Sequence, residues 1–238
     1  MIVVAIITAF AASLLTFFSG FGLGTILMPV MAIFFPVEVA IALTAIVHFL
    51  NNLFKLILIG RHARWMVVFR FGIPAMLAAY LGAKLLFDLP HIKQVVAVLM
   101  IIFVLLELLP QFKKVTLGLK WMPLGGLLSG FFGGLSGHQG ALRSMFLIRA
   151  GLSKEMFIAT GVVIACVIDV TRLSVYTAQF SHDGLYREWP LIASATVSAF
   201  VGSYVGSRLL KKVTISTLQV GVAIAIMIFA ILLALNVV

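Results

Sequence analysis

Charged residues are scarce in this 238-residue chain, since Asp, Glu, Lys and Arg together make up 10% of it. A typical soluble domain is about 25% charged and about 45–50% apolar, whereas this chain is 63% hydrophobic. A globule of this size has too much surface for its volume to hide so many apolar side chains from water. The composition excludes soluble enzymes, disulfide scaffolds, collagen-like chains and disordered chains, and it predicts a protein that faces lipid.

Acidic residues are especially few, with 7 Asp and Glu against 17 Lys and Arg. The basic residues lie mostly in short connections between apolar runs, where membrane proteins carry their orientation signals. No basic face with interleaved aromatic residues predicts nucleic-acid binding. The one cysteine, Cys166, lies in an apolar run and has no partner for an intrachain disulfide. The first apolar run has no basic n-region and continues beyond any cleavage site, so we interpret it as mature protein.

Eight apolar segments of about 18 or more residues predict an all-α polytopic membrane protein. They span 2–34, 37–59, 66–87, 91–109, 121–150, 154–178, 189–210 and 214–237. The first and fifth segments are about 30 residues long, or about 45 Å as one helix, which exceeds a hydrocarbon core of about 30 Å. Glycine strings interrupt both segments, at 19–24 and at 133–140. We predict two short helices joined by unwound backbone in each, a form that survives at membrane depth only when it is buried or lines a cavity.

The two halves of the chain resemble each other at an offset of 117 residues, which becomes 124 after a longer loop in the second half. The matches at the first offset include Ser19-Gly20 with Ser136-Gly137, Ile41-Ala42 with Ile158-Ala159, Asn52 with Asp169, and Lys55 with Arg172. Collinear matches of polar residues and glycines indicate a duplication. We therefore predict a first transmembrane repeat at 1–110, a cytoplasmic linker at 111–120 and a second transmembrane repeat at 121–238.

The distribution of basic residues favours one topology. If segments one and five are re-entrant hairpins, most Lys and Arg of the connections fall on one side of the membrane, as expected of a cytoplasmic face. Only Lys84, Lys93 and Arg187 fall on the opposite side. Each repeat is then a broken, re-entrant helical hairpin followed by three transmembrane helices, and the two repeats are inverted. Inverted repeats with broken helices that meet near the midplane are a transporter architecture. The alternative topology has a single crossing, bent at its glycines, in place of each hairpin.

The glycine breaks are the predicted substrate site. Each precedes the N-terminus of a half-helix, where free backbone amides and the positive end of the helix dipole favour an anion. The alternative is that the glycines only let helices pack closely. The predicted substrate-binding residues are Ser19, Gly20, Gly22, Gly24, His48, Asn52, Ser136, Gly137, His138, Gln139 and Arg143.

Four further residues are predicted to line the pathway or couple transport to an ion, because polar groups at membrane depth are costly and mark functional sites. They are Thr44, Lys55, Asp169 and Arg172. A structural interpretation stands beside this one: Asp169 and Arg172, at i and i+3, neutralise one another. Arg143 has its own alternatives, which are snorkelling to the interface or pairing with Asp169.

The sequence resembles the sulfite exporter family TauE/SafE. The likeness rests on residues 18–24 (Phe-Ser-Gly-Phe-Gly-Leu-Gly) with Pro29 following, on their counterpart at 130–140, and on residues 159–165 (Ala-Thr-Gly-Val-Val-Ile-Ala). The resemblance implies a small multi-pass transporter with duplicated halves. It also implies movement of anions such as sulfite, sulfoacetate or related organosulfur compounds, usually as export from bacteria.

The resulting hypothesis is a secondary transporter in the bacterial inner membrane that exports a small anion (sulfite, sulfoacetate or a related organosulfonate or organic anion) by alternating access. No metal-ligand cluster, nucleotide-phosphate loop or nucleophile elbow is found, so we predict no cofactor and no enzymatic activity. The expected partners are the anion and the lipid bilayer, with proton coupling and a homodimer left open and no nucleic acid. The alternatives are an anion channel on the same scaffold, an intramembrane enzyme that uses His48 or His138 with Asp169, and a membrane subunit without transport.

Overall fold

The computed structural model describes residues 1–16, 22–108, 118–148, 150–180, 187–209 and 216–235. These parts of the chain form ten α-helices and no strand, which confirms the predicted all-α class for them. The helices are α1 (Ile2–Leu15), α2 (Leu23–Ala32), α3 (Val37–Ile59), α4 (Trp65–Asp88), α5 (Ile92–Leu108), α6 (Met122–Ser136), α7 (Gly140–Leu147), α8 (Lys154–Gln179), α9 (Trp189–Leu209) and α10 (Ser216–Ala234). Single 3-10 turns at Gly60–His62 and Leu119–Trp121 precede α4 and α6.

Three helices within the described ranges are long and apolar enough to cross a membrane, and they span Val37–His62, Trp65–Asp88 and Lys154–Gln179. The first and fifth apolar segments instead consist of short helices. α1 has 14 residues and α2 has 10, while α6 has 15 and α7 has 8. Each is shorter than the roughly 20 residues that a spanning helix needs. The number of crossings and the re-entrant hairpins stay predictions.

The helices pack across the predicted boundary between the two halves. α4 lies along α6, α1 lies along α9, α3 crosses α8, and α5 contacts α10. Each of these pairs joins a helix before the linker to one after it. Both halves of the chain therefore contribute to the same helix packing. The duplication itself, and its inverted orientation, remain predictions from the sequence.

Three glycines of α6, spaced four residues apart, bring α6 against the backbone of α4. A Cβ built on Gly126, Gly130 or Gly134 would lie 2.1–2.2 Å from a carbonyl oxygen of α4. The Tyr176 hydroxyl of α8 donates a hydrogen bond to the Gly134 carbonyl. Small residues at this spacing allow two membrane helices to approach closely. These three glycines therefore serve close helix packing, as the alternative interpretation of the glycine-rich segment predicts. The chain between α6 and α7 is the part of that segment that can contribute to a binding site.

Candidate functional site

The two glycine breaks meet inside the helix bundle. α2 begins directly after Gly22, and α7 begins directly after Gln139. Between α6 and α7 the chain turns at Gly137, whose φ of +80° lies in the left-handed region that favours glycine. A Cβ on Gly24 would lie 3.5 Å from the Gly137 carbonyl oxygen. Since Gly24 belongs to the first break and Gly137 to the second, the start of α2 and the link between α6 and α7 are in contact. Ser19 and Gly20 lie outside the described residues.

A fully buried carboxylate, Asp169 of α8, organises the polar residues around this contact. Its Oδ2 lies 2.6 Å from His48 Nδ1 and accepts a hydrogen bond from Asn52 Nδ2 at 3.3 Å, both on α3. Its Oδ1 accepts from Gln139 Nε2 at 3.0 Å and from Arg172 Nε at 3.0 Å. The predicted pairing of Asp169 with Arg172 is confirmed, with Nη2 2.8 Å from Oδ1. A buried charge is tolerated when it is paired and hydrogen-bonded in this way, so Asp169 fixes three elements around the breaks.

Arg143 of α7 reaches this network through a neutral side chain. Its Nη1 donates to Gln139 Oε1 at 2.7 Å, while Gln139 in turn donates to Asp169. Arg143 therefore does not make the direct bond to Asp169 that was one alternative for it. The Gln139 amide oxygen orients the Arg143 guanidinium. Because an amide is neutral, it does not cancel the positive charge of the guanidinium as a carboxylate would. Arg143 keeps a positive charge available to a negatively charged ligand.

A cavity of about 70 Å³ opens beside the network. About 10–15 Å³ of such space holds one water, so the cavity has room for several water-sized groups, as a small oxyanion requires. Its polar lining is Thr16, His48, Asn52, Lys55, Arg143 and Ser144, beside Gly22 and Gly161. Leu23, Leu147, Phe157, Ile158 and Val162 complete the wall. Lys55 Nζ donates to Thr16 Oγ1 at 2.5 Å, which holds the amine at the cavity wall.

The charges around the cavity suit an anion. Lys55 of α3 and Arg143 of α7 are basic residues from different halves of the chain, and both line the space. The buried carboxylate of Asp169 does not line it and is covered by its bonds to His48 and Asn52. A negative ligand would meet two basic groups and an amide donor, whereas a cation would meet like charge in a space of low dielectric.

The predicted site residues occupy three different places. Those that line the cavity are Gly22, His48, Asn52, Lys55 and Arg143. Those that stand behind it, in the Asp169 network or at the contact between the breaks, are Gly24, Gly137, Gln139, Asp169 and Arg172. Thr44 is buried near Gly24, with its Cγ2 3.9 Å from the position of a Cβ there. Thr44 does not line the cavity, although it shares a helix with His48.

Ser136 and His138 face away from the cavity. Ser136 Oγ donates to the Phe132 carbonyl at 3.1 Å and lies 3.1 Å from His138 Nδ1. The His138 ring stacks on Phe103 of α5, with ring centroids 5.7 Å apart and planes 6° apart. His138 is buried, so it packs between the second break and α5 in this conformation. Its assignment to the substrate site stays a prediction.

Thr16 and Gly161 line the cavity but were not among the predicted residues. Thr16 is the C-cap of α1 and lies three residues before the first glycine string at 19–24. That position is the signal that could have identified it. Gly161 lies in α8, and a Cβ there would stand 3.5 Å from Arg143 Nε. Because Gly161 has no side chain, the space beside Arg143 stays open. No local pattern in the sequence predicts this role for Gly161.

Long apolar helices, broken helices that meet inside the bundle and a small basic cavity are features of membrane-integral transporters. The family model described as "Sulfite exporter TauE/SafE" matches residues 5–233, nearly the whole chain. The chain belongs to the TauE/SafE sulfite exporter family, a family of membrane transporters. Neither a curated protein nor a solved structure is significantly similar to it.

Proposed function

We propose that this protein is a secondary transporter that exports a small oxyanion across the bacterial inner membrane by alternating access. The observation that carries the proposal is the cavity between the two breaks, into which Lys55 and Arg143 bring basic groups from both halves of the chain. A charged group inside a membrane protein is costly and by default functional. The cavity volume of about 70 Å³ favours a compact anion over a bulky metabolite.

Sulfite, sulfoacetate and related organosulfonates are the proposed substrates. Each presents a sulfur bearing three oxygens, and a guanidinium can bind two of those oxygens in parallel. Lys55 would neutralise the remaining charge, and Asn52 would supply an amide donor. The apolar wall of Leu147, Phe157 and Val162 would contact the short carbon chain of an organosulfonate. Membership of the family supports a small anion as the substrate. The particular anions named here are part of the proposal.

The first test is anion binding by the purified protein in detergent. Anions that bind only the folded state raise its unfolding temperature by mass action. We expect stabilisation by sulfite or sulfoacetate, and Arg143→Gln should weaken this binding by about 10- to 100-fold, since bonds to charged groups contribute about 1.5–3 kcal/mol. Arg61→Gln is the matched control, because it removes the same charge from an exposed position outside the cavity. An equal loss of anion binding in Arg143→Gln and Arg61→Gln would show that the overall charge of the protein, and not Arg143 in the cavity, determines the binding.

The second test is flux in proteoliposomes. A carrier predicts saturable uptake of the anion and counterflow, in which unlabelled anion inside drives labelled anion inward. An anion channel on the same scaffold, the alternative function, predicts flux that neither saturates at low concentration nor shows counterflow. Imposing a pH gradient in the same vesicles separates proton-coupled transport from transport down the anion gradient alone. No flux of any small anion would refute both the carrier and the channel.

A further inference from the structure

The cavity lies toward one end of α3 and α8. Lys55 lies near the C-terminal end of α3, Phe157 is in the first turn of α8, and Leu147 is the last residue of α7. The connection from α3 to α4 is held to α8 there, since the Arg64 backbone N–H donates to Thr160 Oγ1 at 2.9 Å. The basic connections on this side predict that it faces the cytoplasm. The described structure is therefore a conformation open toward that side.

The duplication assigns each of these cavity-lining residues a counterpart 117 positions away. Arg172 is the counterpart of Lys55, and Gln139 is the counterpart of Gly22. Thr44 is the counterpart of Gly161, and Ile41 is the counterpart of Ile158. All four counterparts are closed off, with 1–2% of each residue exposed. Thr44 and Ile41 lie toward the N-terminal end of α3, away from the end where the cavity opens. These four residues, which would line a matching cavity on the opposite side, are buried in this conformation.

One of these buried counterparts has an unsatisfied polar atom. Thr44 Oγ1 is buried and makes no hydrogen bond to any described residue. The usual resolution inside a helix is a bond to the carbonyl four residues earlier, which Thr171 and Thr177 of α8 both make, at 2.9 and 2.8 Å. Leaving a buried hydroxyl unpaired is unfavourable. Thr44 thus has a buried hydroxyl that no described residue satisfies.

Arg172 and Thr44 flank the same contact between the two breaks. Arg172 Nη1 lies 3.1 Å from the position of a Cβ on Gly137, and Thr44 Cγ2 lies 3.9 Å from that on Gly24. Gly24 and Gly137 are the residues through which the breaks touch. A change in that contact would therefore alter the surroundings of Arg172 and Thr44 together.

We propose a second anion site on the opposite side of the breaks, formed by Arg172, Thr44 and Gln139 and closed in this conformation. This site opens when the two halves exchange conformations. Arg172 then neutralises the charge of the anion, as Lys55 does in the open cavity. The proposal rests on the duplication and the transport function proposed above. The anion passes from a site with two basic residues to one with a single basic residue, because the counterpart of Arg143 is Ile26 and Arg172 is itself paired with Asp169. We expect binding about 10- to 100-fold weaker there, as for the loss of one charge-assisted contact, which favours release outside.

The experiment is cysteine labelling in proteoliposomes of known orientation. Thr44→Cys is introduced after Cys166→Ala, and a membrane-impermeant maleimide is added from the side opposite the basic connections. The minor state of a two-state protein is populated at about 0.1–10%. We therefore expect labelling about 10 to 1,000 times slower than at Lys93→Cys, an exposed position predicted to lie on that side. External sulfoacetate, which does not consume the reagent, should slow the labelling.

Two controls and a second variant make the outcome decisive. Ala9→Cys is buried in the helix packing and is not a counterpart of a cavity residue, so it should remain unlabelled. Ile41→Cys repeats the test at a second counterpart if Thr44→Cys does not fold. The proposal is overturned if both counterparts label no faster than Ala9→Cys in vesicles that transport the anion. Labelling of the counterparts in vesicles without anion flux would support the second opening and refute the transport function.

Discussion

The contact between α4 and α6 can be tested by adding one methyl group. Gly130→Ala places a Cβ 2.1 Å from the Ala75 carbonyl oxygen and 2.6 Å from its Cα, against about 3.4 Å or more for ordinary contact. The neighbouring glycines Gly126 and Gly134 hold the two helices equally close on either side, so α4 cannot tilt away from the clash. The helices must separate by about 1 Å, and every contact along them weakens.

The expected magnitude is the difference between two opposing effects. Overpacking against backbone atoms costs about 3 kcal/mol, the upper end of the usual range. Alanine gains about 1 kcal/mol over glycine in helix propensity. The net expectation is a loss of about 2 kcal/mol in the free energy of unfolding. For a chain of this size that corresponds to a fall of about 4–8 °C in the unfolding temperature.

The assay is thermal unfolding of the purified protein in a mild detergent, followed by intrinsic fluorescence. Gly118→Ala is the matched control, because a Cβ there meets nothing within 4 Å, and it should change the free energy of unfolding by less than about 0.5 kcal/mol. A Gly130→Ala protein as stable as the wild type would show that α4 and α6 do not approach as closely as described.

Two further variants test the network and the cavity. Asp169→Asn leaves the buried Arg172 without its counter-charge and should cost about 3–5 kcal/mol of stability; adding Arg172→Gln should recover part of the loss, and strictly additive losses in the double-mutant cycle would refute the coupling. Gly161→Leu fills the cavity beside Arg143 and should abolish stabilisation by sulfite or sulfoacetate while the unliganded unfolding temperature changes little. Full retention of that stabilisation would place the anion elsewhere.

Element boundaries follow closely from the sequence where the cause is local. The second apolar segment is predicted at 37–59, and α3 spans Val37–Ile59. The half-helices α2 and α7 begin at the predicted glycine breaks, at Leu23 and Gly140. Apolar length and the backbone freedom of glycine act within a few residues, so both can be recognised without knowing what the segment packs against.

The candidate site was predictable only in part, because side-chain partners depend on tertiary contacts. Helical spacing places Thr44, His48, either Asn51 or Asn52, and Lys55 along one stripe of α3. His48, Asn52 and Lys55 line the cavity, whereas Thr44 does not. The same spacing could not show that Asn51, one position away, turns to α9 and accepts a bond from Ser203 Oγ at 2.8 Å. Nor could it show that Gln139 would link Arg143 to Asp169. Polarity on a helix indicates a face, whereas the neighbour across that face is known only from the fold.

If the two halves arose by the predicted duplication, the bond between Asn52 and Asp169 bears on how the chain evolved. These residues occupy matching positions in the two halves, yet they touch, with Nδ2 and Oδ2 3.3 Å apart. In an ancestral pair of identical subunits related by a two-fold axis, the residue at this point would face its own copy. Two aspartates there would repel or share a proton, and two asparagines would leave Arg172 without a counter-ion. Once the two halves are fused into one polypeptide, the two matching positions can mutate independently. An amide at residue 52 can then face a carboxylate at residue 169, which two identical subunits could not provide.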